Sequence, residues 1–265
     1  MKKNWAVFKI TLQEYLVYRL NFFLWRFRSF IFFLTLVYFW KALFLNRQTL
    51  FAYSQSQILI YVIGTVFMRG LILGSKSAGE LPYLIKGGDL ISWLTRPVSL
   101  FHLYFTRDLV AKILDTFFAV IEISLVVKIF NLTFFLPSSE AIFFFVLTLV
   151  FSIVLNFLVA IFIASLSFWF EEAWATRWLF GVVLLEFMAG VYFPLDVLPP
   201  KLIRLINLTP FPYLIFYPLK ILTETFSISQ MTKSLVILFV WTVLFYFLAK
   251  KVWRKGLAGY AAYGG

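Results

Sequence analysis

The chain has 265 residues, of which 62% are hydrophobic and only 14% charged, and its mean hydropathy is +0.91. A soluble domain carries about a quarter charged residues, so this chain cannot cover its own surface with polar groups, and lipid is the solvent that removes the difficulty. The absence of Cys and a single His, His102, exclude a disulfide framework, a Cys-based zinc site and a multi-histidine metal centre within one subunit, while the net charge of +12 comes from Lys and Arg flanking apolar runs, the pattern of cytoplasmic membrane flanks rather than of a nucleic-acid binder.

Taken in chain order, residues 3–20 place Trp5, Phe8, Leu12, Tyr15 and Leu16 at helical spacing, with Lys9, Gln13 and Glu14 elsewhere on the wheel. That pattern predicts an amphipathic helix lying in the membrane interface; a plain extension of the first span is the alternative. The segment is not read as a cleavable signal, because Arg26 and Arg28 interrupt the apolar run and no small-residue cleavage site follows. A spanning helix needs about 20 mostly apolar residues, and the stretches that qualify are 27–45, 56–75, 109–131, 141–168, 177–195 and 232–249. None alternates as barrel strands do, so the expected fold is all-α, with six transmembrane helices.

Between the second and third spans, residues 80–108 carry a Gly87-Gly88 break, then Asp89, Leu90, Ile91, Ser92, Trp93, Leu94, Thr95, Arg96 and Pro97. Asp89 is placed to cap a helix starting at Leu90, and Pro97 ends it. A helix over 89–96 is too short to stand alone, so Trp93 beside Arg96 is read either as a protein-docking anchor or as an anchor in the lipid headgroups. Just upstream, Gly70 and Gly74 precede Ser75-Lys76-Ser77, but the glycine adjacent to the Lys of a nucleotide-binding loop is missing and no strand leads into it. This chain is therefore not expected to bind or hydrolyse nucleotide itself.

Ionisable residues inside spans are functional candidates. On the third span Asp115 and Glu122, seven apart, share a face, and Arg69 on the second can pair with either. Glu171-Glu172 and Arg177 have one residue too many for the E-E-x-x-x-R of intramembrane proteases, and no His lies downstream, so they read as a turn with ion pairs. Glu186, near the middle of the fifth span, opposes insertion by about 3 kcal/mol, which its apolar neighbours outweigh at a few tenths each; it must face protein or water. Residues 190–222, GVYFPLDVLPPKLIRLINLTPFPYLIFYPLKIL, are divided by Pro194, Pro199, Pro200, Pro210 and Pro212. Short apolar pieces between prolines predict a re-entrant hairpin over 194–222 that dips into the bilayer without crossing; a proline-broken seventh span is the alternative. Lys and Arg concentrate before the first span, between the second and third, and after the sixth, which puts both termini in the cytoplasm.

Several short motifs in fixed order resemble the membrane subunits of ABC-2 type ABC transporters, specifically bacterial permeases of about 260 residues. They are Tyr18-Arg19-Leu20-Asn21, Trp40-Lys41-Ala42-Leu43-Phe44, Gly88-Asp89-Leu90, Leu94-Thr95-Arg96-Pro97, Gly190-Val191-Tyr192-Phe193-Pro194-Leu195 with Leu198-Pro199, Pro210-Phe211, Tyr217-Pro218, and a tail with Tyr260 and Gly264-Gly265. The resemblance implies an interfacial elbow helix, a cytoplasmic coupling helix at 89–96, and a permease dimer of identical or different chains. It also implies two cytoplasmic ATPase subunits that bind ATP and Mg, leaving this chain without a cofactor or catalytic residue. The expected activity is export of an amphiphilic, lipid-like, drug or peptide substrate across the bacterial inner membrane. An ion-coupled secondary transporter working through Glu186, Asp115 and Glu122 is the alternative; it usually shows inverted repeats, and none is visible.

Overall fold

The computed structural model describes residues 2–97, 99–130, 137–170, 178, 183–223 and 226–260. In chain order the helices are α1 (Lys2–Val17), α2 (Arg19–Leu43), α3 (Gln55–Met68), α4 (Lys76–Lys86), α5 (Leu90–Leu94), α6 (Leu100–Phe130), α7 (Ser139–Ser165), α8 (Leu185–Met188), α9 (Pro200–Ile206), α10 (Phe216–Thr223) and α11 (Ile228–Ala258). α3 runs on through a π turn at Arg69–Leu73, and α7 through a 3-10 turn at Leu166–Phe168. A two-residue antiparallel pair, β1 (Thr49–Leu50) and β2 (Tyr53–Ser54), sits between α2 and α3.

The long helices start at polar caps. Ser54 and Gln57 form a reciprocal capping box on α3, Ser227 and Gln230 do the same on α11, and Ser138 accepts from the Ala141 amide on α7. Each arrangement satisfies amides that have no partner within the helix. Arg19–Leu43, Gln55–Leu73, Ser139–Phe168 and Ile228–Ala258 are long and apolar enough to cross a membrane. α6, with 31 residues, spans about 46 Å at 1.5 Å per residue, but Lys112, Asp115 and Glu122 interrupt its apolar character. The expected span over 177–195 falls in part on residues outside the described ones, as do Glu171 to Arg177. Only Trp178 and the stretch from Val183 onward are described there, with α8 ending before Gly190.

α1 and α2 are separated only by Tyr18. The face of α1 turned to α6 is centred on Thr11, which is buried, with Phe8, Leu12 and Tyr15 half-buried beside it; Trp5 and Leu16 are exposed. The apolar set expected to form one membrane face is thus divided, because part of it packs on protein.

The main core joins α3 (Tyr61, Met68, Ile72), α7 (Leu155, Val159, Ile163) and α11 (Leu238, Phe245) to the proline-rich segment, which contributes Leu195, Ile206, Leu214, Ile215 and Leu219. Backbone that is not regular helix must find partners when buried, and here side chains from three helices supply them. Tyr61 donates to the Gly190 carbonyl at 2.6 Å, Ser152 to that of Tyr213 at 3.1 Å, and Trp40 to that of Tyr192 at 3.3 Å. Gly190 has φ +78°, and a Cβ there would lie 2.8 Å from the Tyr61 hydroxyl, so both backbone conformation and space call for glycine. A second cluster joins α2, α3 and Val126 of α6; a third joins α4, α5 and the start of α6 to the ends of α7 and α11.

Candidate functional site

The π turn of α3 begins at Arg69. The Nε and one terminal nitrogen of Arg69 donate to a single oxygen of Glu186, at 2.9 and 2.8 Å, and Tyr192 donates to the other oxygen at 2.8 Å. The guanidinium also lies over the ring of Phe32 on α2, 5.6 Å from its centroid. Glu186 is buried, as its depth in the sequence requires, and its charge is met by a planar fork plus a phenol, a strong charge-assisted set. The expectation that Arg69 pairs with Asp115 or Glu122 is corrected, because those carboxylates belong to Arg26 of α2. Arg26 donates to Glu122 at 2.5 Å and approaches Asp115 at 3.6 Å, with its guanidinium 5.8 Å from the Phe118 centroid. Asp115, Phe118 and Glu122 recur at helical spacing along one face of α6, and α2 delivers the cation to it. Sequence reasoning assigned Arg26 to the basic flank of the first span. Its place within an apolar run that structurally begins at Arg19 was the signal that could have marked it as a pairing residue.

Near the α5 end, the chain breaks between α3 and α4 at Gly74, and α6 closes the break with two residues one turn apart. Asp108 accepts from the amides of Lys76 and Ser77 at 2.6 and 3.2 Å and from the hydroxyls of Ser75 and Ser77 at 2.9 and 3.0 Å. Lys112 donates to the carbonyls of Ile72 and Gly74. A carboxylate thus caps the positive start of α4 while an ammonium caps the negative end of the preceding turn, and both side chains are buried. Around this clamp, Glu14 of α1 meets Lys76 at 3.1 Å and Arg107 at 2.9 Å, and Arg107 also meets Glu80 of α4 at 2.9 Å. Burial pushes the Tyr15 phenol up, the carboxylates of Asp115, Asp108 and Glu80 push it further, and Arg107 opposes them. α4 itself, which contains Pro82, was not anticipated; its only sequence signal was Ser75 as a cap.

α4 carries α5. Leu90 is buried in the third cluster, Trp93 is half-buried against it, and Ile91 and Leu94 are exposed. Arg96 lies over the Trp93 ring at 4.1 Å. The Tyr260 hydroxyl donates to the Ile85 carbonyl at 2.9 Å, tying the tail to α4. Asp89 does not cap α5 through its side chain. It is itself helical, at φ −67° and ψ −12°, because Gly88 with φ +82° turns the chain one residue earlier. α5 is a single turn, shorter than the 89–96 expected. His102, on the first turn of α6, is exposed.

At the opposite end, Lys220 of α10 and Tyr53 of β2 both donate to one oxygen of Asp196, at 2.6 and 2.5 Å. The β1–β2 turn holds Phe51 and Ala52 at φ +52° and +63°, a left-handed pair that non-glycine residues rarely adopt. Pro194 and Pro210 are buried, Pro199 is exposed, and Pro200 opens α9, where a proline fits without loss. The sequence thus located the prolines, and the structure places them at the starts and ends of short helical pieces packed on the core.

No curated protein matches the chain. The family model described as ABC-2 family transporter protein matches residues 30–264, a span that takes in the Arg69–Glu186 pair, the clamped break, α5 and the proline-rich segment. The chain belongs to the ABC-2 family of transporter membrane proteins, as a permease of multi-pass, helical architecture.

Proposed function

We propose that this chain is the transmembrane subunit of an ATP-driven exporter, working beside a second permease, identical or homologous, and two cytoplasmic ATPase subunits. The supporting observation is the mechanical continuity from α5 to the spans. Ile91 and Leu94 are exposed for a partner while Leu90 is buried under α4, and α4 is held to α3 and α6 by Asp108 and Lys112. A push on α5 therefore reaches α4 through the packing of Leu90, and α3 and α6 through the clamp. In this reading six crossings are made by α2, α3, α6, α7, residues 177–195 and α11. Both termini are cytoplasmic, α1 is the elbow, and 194–222 is the re-entrant hairpin of an inner-membrane protein.

Arg69 and Glu186 lie beside the transport path, since the Arg69 side chain keeps 34% of its surface exposed although its partner is buried. The cargo class is amphiphilic: a lipid-like molecule, drug or apolar peptide. An ion-coupled carrier would need Glu186, Asp115 or Glu122 to load and release cations. Each faces an arginine instead, so the carrier reading is not favoured.

Replacing Trp93 by Ala, with a cognate ABC ATPase co-expressed, tests the proposal. Co-purification of the ATPase is expected to fall several-fold while the permease stays folded by thermal unfolding. Unchanged capture with Trp93→Ala, and again with Ile91→Asp, overturns α5 as the docking element.

A further inference from the structure

We propose that the groove between α2 and α6 binds one anionic phospholipid, with its headgroup on Arg19 and one acyl chain along a wall of phenylalanines. The groove encloses about 600 Å³, within the range of roughly 300–1,000 Å³ usual for small-molecule sites. Phe22, Phe23, Phe27 and Phe30 of α2 face Phe118 and Leu125 of α6 across it. From Arg19 to Phe30 the helix rises about 16 Å at 1.5 Å per residue, roughly half of a hydrocarbon core of about 30 Å. The groove is therefore one leaflet deep, the length of a single acyl chain.

Charge selects the head. Arg19 lines the mouth of the groove and is exposed, and its guanidinium makes no ion pair or hydrogen bond among the described residues. Arg26, seven residues deeper, is met by Glu122 and Asp115, so its charge is already answered within the protein. An unopposed guanidinium at the rim of a mostly apolar groove, whose deeper charges Arg26 and Glu122 pair with each other, complements a phosphate with an apolar tail, and its planar fork suits phosphate oxygens. The inference rests on the exporter reading only for which leaflet supplies the lipid, namely the cytoplasmic one.

The test uses the purified full-length chain in a non-ionic detergent, titrated with phosphatidylglycerol or phosphatidylcholine of identical acyl chains, with bound lipid counted by native mass spectrometry. At least one phosphatidylglycerol is expected to be retained in preference to phosphatidylcholine. Arg19→Gln is expected to reduce that preference about five-fold, the effect of one basic residue at an anionic surface. Leu125→Trp, which fills the groove, is expected to reduce retention of both lipids, whereas Arg254→Gln on α11 leaves both unchanged. Preference unaltered by Arg19→Gln, or retention unaltered by Leu125→Trp, overturns the site. So does a disulfide-linked dimer of Phe23→Cys that excludes lipid, since a second copy then fills the groove. None of these readouts needs an ATPase, so a failed lipid preference removes the groove and leaves the docking of α5 standing, and the reverse holds for failed ATPase capture.

Discussion

Two charged clusters on α6, less than two turns apart, are built in opposite ways. At Asp108 and Lys112 both carboxylate oxygens and the ammonium are engaged with backbone or hydroxyl partners. At Arg26, Asp115 and Glu122, by contrast, the Arg26 Nε and one oxygen of Glu122 are buried without a hydrogen-bond partner. A buried polar group left unpaired costs roughly 1–3 kcal/mol, so the second cluster holds less stability than its charges suggest. The first has the character of a fixture, joining α3 to α4. The second retains unspent donor and acceptor capacity between two helices that also border a groove, and the π turn beside it at Arg69 is a local irregularity of the sort found at functional positions.

This contrast predicts a graded series. The largest loss is expected for Asp108→Ala, which strands two amides, two hydroxyls and the buried Lys112. Breaking a buried charged set in this way costs about 3–5 kcal/mol, and thermal unfolding of the purified protein should show it directly. A melting temperature within a degree of wild type would mean that the clamp is ornamental. Glu122→Gln should cost less, about 1–2 kcal/mol, because Arg26 keeps Asp115 and only a charge-assisted bond is weakened. A loss equal to that of Asp108→Ala would erase the distinction between the clusters. Glu186→Gln should cost about as much as Glu122→Gln, since the amide can still bond Arg69 and Tyr192 while the charge-assisted pairing is weakened. Export measured in cells should nevertheless fall about ten-fold, and wild-type export would remove Glu186 from the path.

The broad architecture was legible because lipid demands a run of apolar residues about 20 long, and α2, α3, α7 and α11 each declare one. Their ends were less legible, since helices continue past the apolar window into caps such as Ser227–Gln230. Burial of Glu186 and the shared face of Asp115 and Glu122 followed from spacing. Their partners did not, because spacing within one helix carries no information about which neighbouring helix delivers the cation; Arg26 stands where Arg69 was expected, and Arg69 pairs with Glu186 instead. The short helix α5 was anticipated from the Gly87-Gly88 break and Pro97 that bound it, but Asp89 was misread, since a left-handed Gly88 ahead of it shifts where helical geometry begins. The Asp108–Lys112 clamp was missed outright. Both residues look like ordinary headgroup-level charges until the break at Gly74 is seen beside them.

The donors that satisfy the proline-rich segment, Trp40, Tyr61 and Ser152, all precede the carbonyls they serve, at Tyr192, Gly190 and Tyr213. As the nascent chain leaves the ribosome, the partners are made before the groups that need them. The irregular stretch thus meets a prepared wall on arrival, and its bare carbonyls need not face acyl tails first. Synthesis thus supplies donors before acceptors, and circular permutation that places residues 190–222 ahead of α2 would reverse that order.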